Sequence, residues 1–518
     1  MKKYFYFLLF SFCFLLIITC TTQPQSGNLT GTVQLAGEAD HGGIVIGVYE
    51  LAELDPDIVE ANQNWPHIGV IINQHTEFDH RFGTLVKTGE TDASGYFEIN
   101  DIPTGNYNIV VIKNGYGFRY IYNVQINDGN NSLENFLTEK RKKEKGKSKK
   151  ADNDEDSSFN LLPLSFNLNK SRADLTLYPE TIIYSDITTP TTFESHHHYI
   201  IEQDIIVDAE LTIEPGAVIR LNEGVKMSIY GDLTAVGQED NFIWFTSNDS
   251  INSSSFFRSP SSDRLSEYKV IELDGTINKE VSFCKFEHAG TGLLNHVNGF
   301  SISDCIFRNS SCGFKSECVD STFCSNLLCE NITCGNEGGI YFTNVDSGII
   351  EKNILMSNST GIKVKDNTNP EISNNYFYLN EFGAELWSSN SSFIHNELLG
   401  NIYDLRVCGP TSPEIRLNNF ESNIGVYIGY NCIYPNAIPE IHFNNLINCN
   451  YAIYGTAFNS ITINAENNYF GTTDPLTIEE LIRDKNDILP TTPYYETFGI
   501  VNYNPFLTQE CPHAGIFN

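Results

Sequence analysis

Between Asn353 and Asn444 the chain repeats one phrase about every 22 residues: an Asn, a large apolar residue two positions on, a second Asn five positions on, then a small residue that opens an alternating apolar run. The phrase is legible as Asn353, Leu355, Asn358 and Gly361, then Asn375, Phe377, Asn380 and Gly383, then Asn396, Leu398, Asn401 and Asp404. Weaker copies open at Cys284, Cys305, Asn331, Asn418, Asn444 and Asn468, so the steps are 21, 26, 22, 22, 21, 22, 26 and 24 residues. One such repeat cannot bury its own apolar face, and the repeats must stack. Leucine-rich repeats share this length but need a Leu lattice and a longer helix or loop per repeat. Here each repeat holds two or three short alternating runs broken by Asn, Gly and Ser, which is the pattern of strand, turn, strand.

Parallel strands stacked about 4.8 Å apart place equivalent residues of successive turns above one another. Inward Ile, Leu, Val and Phe then form apolar columns that supply the core. An Asn recurring at a turn tolerates the left-handed backbone, and stacked amides hydrogen-bond along the axis. The repeated Asn residues are therefore expected to be structural.

An opening phrase holds Leu211, Ile213, Pro215, Gly216 and Ile219, followed by Gly231 to Gly237 and by Ile243, Trp244 and Phe245. A closing phrase holds Asn467, Tyr469, Gly471, Asp474 and Pro475, then Gly499, Tyr503 and Pro505. With the repeat between them, these segments resemble the bacterial right-handed parallel β-helix proteins of the pectate-lyase-like superfamily, from Thr191 to Leu507. The resemblance implies an all-β solenoid.

Met1, Lys2 and Lys3 precede an apolar, aromatic-rich stretch from Tyr4 to Ile18, which reads as a signal peptide and is short for a membrane span. Ile17, Ile18, Thr19 and Cys20 resemble a bacterial lipobox, departing from it in the residues three before and one before the Cys. The resemblance implies lipidation at Cys20 and a membrane partner through that lipid. Thr at position 21, where Asp would retain the protein, implies the outer membrane.

The formal net charge is −33, and eight of the 32 basic residues lie between Lys140 and Lys150, so the remainder is more acidic still. Such a field opposes nucleic acid and anionic membrane surfaces and is compatible with divalent cations. Of the 13 Cys, 11 lie beyond Cys20, an odd number for an exported chain, so at least one thiol is unpaired within it. Cys284 and Cys305 are expected to stack in the Asn column as small apolar residues. Cys312, Cys318, Cys324, Cys329 and Cys334 crowd the following turn without the paired spacing of a zinc site.

Residues 28–137 read as short alternating strands with turn punctuation, the pattern of a β-sandwich. Thr91, Asp92, Gly95, Tyr96 and Phe97, then Pro103, Gly105 and Tyr107, then Asn114, Gly115 and Tyr116 resemble the carboxypeptidase regulatory-like domain. The resemblance implies a transthyretin-like sandwich that serves as a spacer, with Asp92 and Gly95 in a turn and Phe97, Ile99 and Tyr107 in the core. The predicted organisation is a lipoprotein signal peptide over 1–19, a tether over 20–27, the sandwich over 28–137 and a charged low-complexity linker over 138–158. A connecting segment over 159–190, the β-helix over 191–508 and a tail over 509–518 complete it.

Because strand side chains alternate, the residues between the inward positions of each repeat form outward columns. One column is Lys315, Tyr341, Lys363, Glu385, Arg406, Tyr427 and Tyr454; Lys365 and Trp387 lie beside it. Aromatic faces stack on sugar rings, and the interleaved charges bond hydroxyls or carboxylates, so Tyr341, Lys363, Lys365, Glu385, Trp387, Arg406, Tyr427 and Tyr454 are the ligand-binding candidates. No cofactor is required, although Glu385 is a candidate Ca²⁺ ligand. A lyase would need a base to remove the proton α to a uronate carboxylate and a cation to stabilise the resulting charge; Lys363 and Arg406 are the residues for those roles. His196, His197 and His198 read as an exposed strand start, with metal binding as the alternative. The leading functional expectation is an exported lipoprotein that presents a glycan-binding or adhesive surface. The alternatives are a lyase acting on uronate-containing polysaccharide and a purely structural surface protein.

Overall fold

The computed structural model describes residues 25–137, 175–248, 270–275, 278–330, 332, 338–429, 437–456, 461–489 and 499–517. The predicted signal segment, Cys20, the charged linker, Asn331 and Cys334 lie outside the described residues. The chain forms two compact units, the first comprising Met1–Glu53 and Glu77–Pro179, the second Leu54–Thr76 and Glu180–Asn518. Both are dominated by strands.

In the first unit, Ser26–Thr32 lies between Tyr96–Pro103 and Gly129–Ser132 in one sheet. Leu85–Glu90, Val45–Glu50, Gly105–Ile112 and Arg119–Ile126 make a second, antiparallel sheet. Alternation decides which side chains meet between them: Leu29, Ile46, Val48, Phe97, Ile99, Tyr107, Ile109 and Ile121 share one core. The turn before Tyr96 closes where Gly95 N–H donates to Asp92 O at 2.9 Å, and the Asp92 carboxylate accepts from Ser94 and Tyr96 N–H. Gly95 has φ +84 there, a conformation that suits a residue without Cβ.

The second unit is a parallel β-helix. Strand after strand pairs with the equivalent strand one turn on, as in Ile354–Met356 with Tyr376–Tyr378 and then Glu397–Leu399, all parallel and in register. Phe245, Phe286 and Phe307 stack face to face at 4.8 and 4.9 Å down the core, and Leu355, Phe377, Leu398 and Phe420 continue inward in later turns.

The Asn anchors form the amide ladder. Asn375 N–H and Nδ2 both donate to Asn396 Oδ1 at 3.0 Å, and Asn396 repeats the pattern onto Asn418 at 2.9 and 3.0 Å. Asn418, Asn444 and Asn468 carry it on. A second ladder runs through Asn358, Asn380 and Asn401. The left-handed backbone, however, belongs to the residue before each main anchor: Lys352, Asn374, His395 and Leu417 have φ of 56, 54, 55 and 58. That twist sends one side chain outward and turns the next, the Asn, inward to its partner in the following turn.

The anchor expected at Asn331 is displaced. Leu328 pairs with Ile354 and with Ile306, so Leu327 occupies the position of Asn353, and its N–H donates to Asn353 Oδ1 at 2.9 Å. The step from Cys305 is then 22 residues and the next one 26, the reverse of the predicted order. An apolar residue fits here because only the later neighbour's carbonyl acceptor has to be met. Cys284 and Cys305 are fully buried in the same column, as expected, and the nine described Cys are free thiols. The His run also differs from expectation: His198 opens a strand but is 1 % exposed, and His197 lies 3.4 Å from Glu194.

One stretch of one sheet of the helix is apolar on both faces. Ile306, Leu328, Ile354, Met356 and Tyr376 point away from the core and are buried under Ile58, Ala61, Ile68, Val70 and Ile72. The helix Pro56–Asn64 that supplies part of this cover starts on Asp55, whose carboxylate accepts from Asp57 and Ile58 N–H, with Pro56 in its first turn. Asn62 clamps the return segment by donating to Val70 O and accepting from Ile72 N–H. Lys285 Nζ donates to Thr76 O at 2.9 Å at the end of the segment.

Further along the same sheet the chain's C-terminal residues provide the cover. Cys511 N–H donates to Asn445 Oδ1, and Gly515 passes so close that a Cβ would lie 2.6 Å from Glu397 Oε2. Burial pushes the Glu397 carboxyl up to about 7, against the hydrogen bond it accepts from Asn419. The folded state therefore holds a proton that the unfolded chain releases near 4.5, and this contribution is lost as pH rises from there towards 7. Glu397→Gln is expected to flatten the pH dependence of unfolding over that window, by up to about 3 kcal/mol, in urea titrations at pH 5 and pH 8. Parallel pH profiles of the two proteins would overturn the assignment.

Candidate functional site

The outward column is in register strand by strand. Lys315 pairs with Tyr341, Tyr341 with Lys363, Lys363 with Glu385, Glu385 with Arg406, Arg406 with Tyr427 and Tyr427 with Tyr454; Arg483 continues it. A flanking column runs Thr343, Lys365, Trp387 and Cys408. A third row, absent from the sequence reading, runs Thr360, Phe382, Tyr403, Ile424 and Tyr451. These residues each precede the small residue of the repeat. An aromatic recurring at that spot at the repeat period was the available signal.

The candidates are more enclosed than an outward column implies. Glu385 is 2 % exposed, Arg406 7 %, Tyr341 8 % and Lys363 9 %, because long side chains on strands this closely spaced cover one another. Trp387, Lys365, Tyr427 and Tyr454 are half-buried.

Glu385 is the centre. Its Oε1 accepts from Arg406 Nη1 at 2.7 Å and from Trp387 Nε1 at 3.4 Å. Its Oε2 lies 3.3 Å from Lys363 Nζ and accepts from Thr360 Oγ1 at 3.3 Å. The Arg406 guanidinium packs 4.9 Å from the Phe382 ring centroid and 4.8 Å from that of Trp387, with Lys363 Nζ 5.9 Å from the latter. Phe382 and Tyr403 stack at 4.9 Å, and Tyr427 and Tyr454 at 5.3 Å. Burial pushes the Tyr427 hydroxyl up to about 12, so it stays a neutral donor.

Two cations share one carboxylate, leaving a net positive charge walled by aromatic rings. A Ca²⁺ at Glu385 would have to displace both cations. Lys363 Nζ is held against the Glu385 carboxylate in an ion pair. Lys365 lies 3.5 Å from Asp366, to the side of the trio. Among the described residues, no group of three or more His, Cys, Asp or Glu is placed to hold a metal ion.

Fold and site together define a parallel β-helix protein with a charged, aromatic-walled outer face. A family model described as periplasmic copper-binding protein (NosD) is similar to residues 247–434. No curated protein matches the chain. Among solved structures, a mutant of the periplasmic alginate epimerase AlgG is 12 % identical over 60 % of this chain and 77 % of its own, with a TM-score of 0.25. A type II cohesin–X-dockerin complex from Acetivibrio cellulolyticus is 18 % identical over 20 % of this chain, with a TM-score of 0.12. This chain spans 51 % of that relative's length.

Proposed function

We propose that the outer face centred on Glu385 recognises a uronate-containing polysaccharide. The observation that carries this reading is the trio of Lys363, Glu385 and Arg406 set between Phe382, Tyr403 and Trp387: a local cationic patch in a chain of net charge −33, flanked by rings. A uronate supplies both complements, a carboxylate for the patch and a pyranose face for the rings. Tyr427, Tyr454 and Tyr341 lengthen the face by further strand spacings of about 4.8 Å, the scale of an oligosaccharide rather than a monosaccharide.

Trp387→Ala is expected to weaken binding of an acidic polysaccharide about tenfold while leaving the fold intact, read by calorimetry with a polyuronate and a neutral glucan as control. Equal affinity for the neutral glucan, or no effect of the substitution, would sink this reading. A second reading is eliminative cleavage of the same polymer. It would use the free amine of Lys363 as the base that takes the proton α to the carboxylate, the Arg406 guanidinium as the cation for the developing carboxylate charge, and the Tyr427 hydroxyl as the proton donor to the leaving glycosidic oxygen, all in one column. Unsaturated-product absorbance on incubation with the polyuronate tests it, and loss of that signal in Arg406→Ala ties it to this site.

The setting proposed for this activity is extracytoplasmic. The apolar leader before Cys20 supports export, and the matched family and the epimerase are both described as periplasmic. We read Cys20 as a lipid anchor, with the membrane as partner. We read the first unit as a carboxypeptidase regulatory-like, transthyretin-type spacer, on the strength of its Asp92 to Phe97 turn.

A further inference from the structure

Beside a different sheet of the second unit from the one that carries the Glu385 column, the geometry points to a second binding site, one that takes a small organic cation such as an aliphatic diamine. A cavity of about 230 Å³ is lined by Pro66, His67 and Ile71 on one side and by Glu239, Phe242, Phe283, Asp304 and Asn326 on the other. Phe283, Asp304 and Asn326 are equivalent positions of three successive turns. Each has a left-handed backbone, with φ of 50, 56 and 53, that directs its side chain off the coil. The site is thus built by the repeat itself as a ring, an acid and an amide about 4.8 Å apart.

The loop that closes it is fixed. Gly69 N–H donates to Lys352 O at 2.8 Å, and a Cβ at Gly69 would lie 2.6 Å from Ile354, so the loop can neither approach further nor carry a larger residue there.

The lining selects for charge and shape. Glu239 and Asp304 are carboxylates, and Asn326 Oδ1 is a buried acceptor with no hydrogen-bond partner. An unsatisfied acceptor of this kind costs free energy until a donor arrives. The Phe242 and Phe283 rings meet edge to face at 6.0 Å and offer a face to a cation. A hydrated divalent metal draws nothing from aromatic walls and asks for converging oxygens, and an anion is repelled by the carboxylates and by the chain's overall charge. An alkylammonium satisfies the acids and the amide through its N–H donors and lays its methylenes on the rings.

Calorimetry of the mature chain with 1,4-diaminobutane, with 1,4-butanediol as neutral isostere, tests this. The diamine is expected to bind with one-to-one stoichiometry and the diol at least about tenfold more weakly. E239Q combined with D304N should weaken the diamine at least about tenfold, and N326D should tighten it, with circular dichroism confirming that each variant is folded. Trp387→Ala should leave diamine binding unchanged, which separates this site from the polysaccharide face. Equal binding of diamine and diol, indifference to the double substitution, or displacement of the diamine by equimolar Ca²⁺ would overturn the proposal.

Discussion

Glu385→Ala is expected to destabilise the second unit by about 3–5 kcal/mol, more than any other single change in the candidate site. The carboxylate is almost wholly buried and is the shared partner of Arg406 at 2.7 Å and Lys363 at 3.3 Å. Removing it leaves two enclosed cations facing one another without compensation. Glu385→Gln should cost less than the Ala variant, because the amide oxygen still accepts from Arg406 while the charge is lost. Replacing all three residues by apolar ones of similar volume should recover much of the stability, since a buried ion pair returns little beyond its desolvation cost. Urea unfolding of the single and triple variants measures both effects. A loss below about 1 kcal/mol for Glu385→Ala would mean that water screens the trio as it does a surface pair. Raising the salt concentration should change little if the trio is enclosed as described.

Asn396→Ala is expected to cost about 2–4 kcal/mol, by removing several buried hydrogen bonds at once. Asn375 N–H loses its Oδ1 acceptor and Ile372 O loses an Nδ2 donor, while Asn375 Nδ2 keeps Ile350 O and Ser373 O and Asn418 Oδ1 keeps the backbone N–H of residue 396. Cys305→Ala, at the equivalent position of an earlier turn, should cost much less, since its thiol makes only a weak bond to Ser303 O. Thermal or urea unfolding of the pair gives the contrast directly, and similar losses in the two variants would contradict a ladder whose strength lies in its amides.

The columns were readable from the sequence because strand alternation and the repeat period together fix which residues of successive turns lie side by side. Lys363, Glu385 and Arg406 fall together on that arithmetic alone. Enclosure was not readable in the same way: it depends on Phe382, Tyr403 and Trp387 folding over the charges from neighbouring rows. The displaced anchor at Leu327 escaped because an apolar residue there carries no trace of the Asn phrase, while Asn331, 22 residues before Asn353, mimics it. The double-sided apolar strands at Ile354–Met356 and Tyr376–Tyr378 did show in the sequence as runs without alternation. What covers them could not be seen locally, because residues 54–76 come from almost 300 positions earlier in the sequence, between segments that fold into the first unit.

The amide ladder begins at Leu327 and runs unbroken beneath every turn that contributes to the Glu385 site. Each turn there is tied to the next through side-chain bonds as well as through its strands, so opening one turn means breaking the ties of two. The earlier turns, with Cys284 and Cys305 in that column, lack this second set of ties. The aromatic face is therefore mounted on turns tied to one another by a continuous amide ladder, which holds their spacing against a guest. A polymer bound there must conform to the pitch of the coil, and selectivity falls to ligand flexibility and side-chain rotation, not to breathing of the backbone.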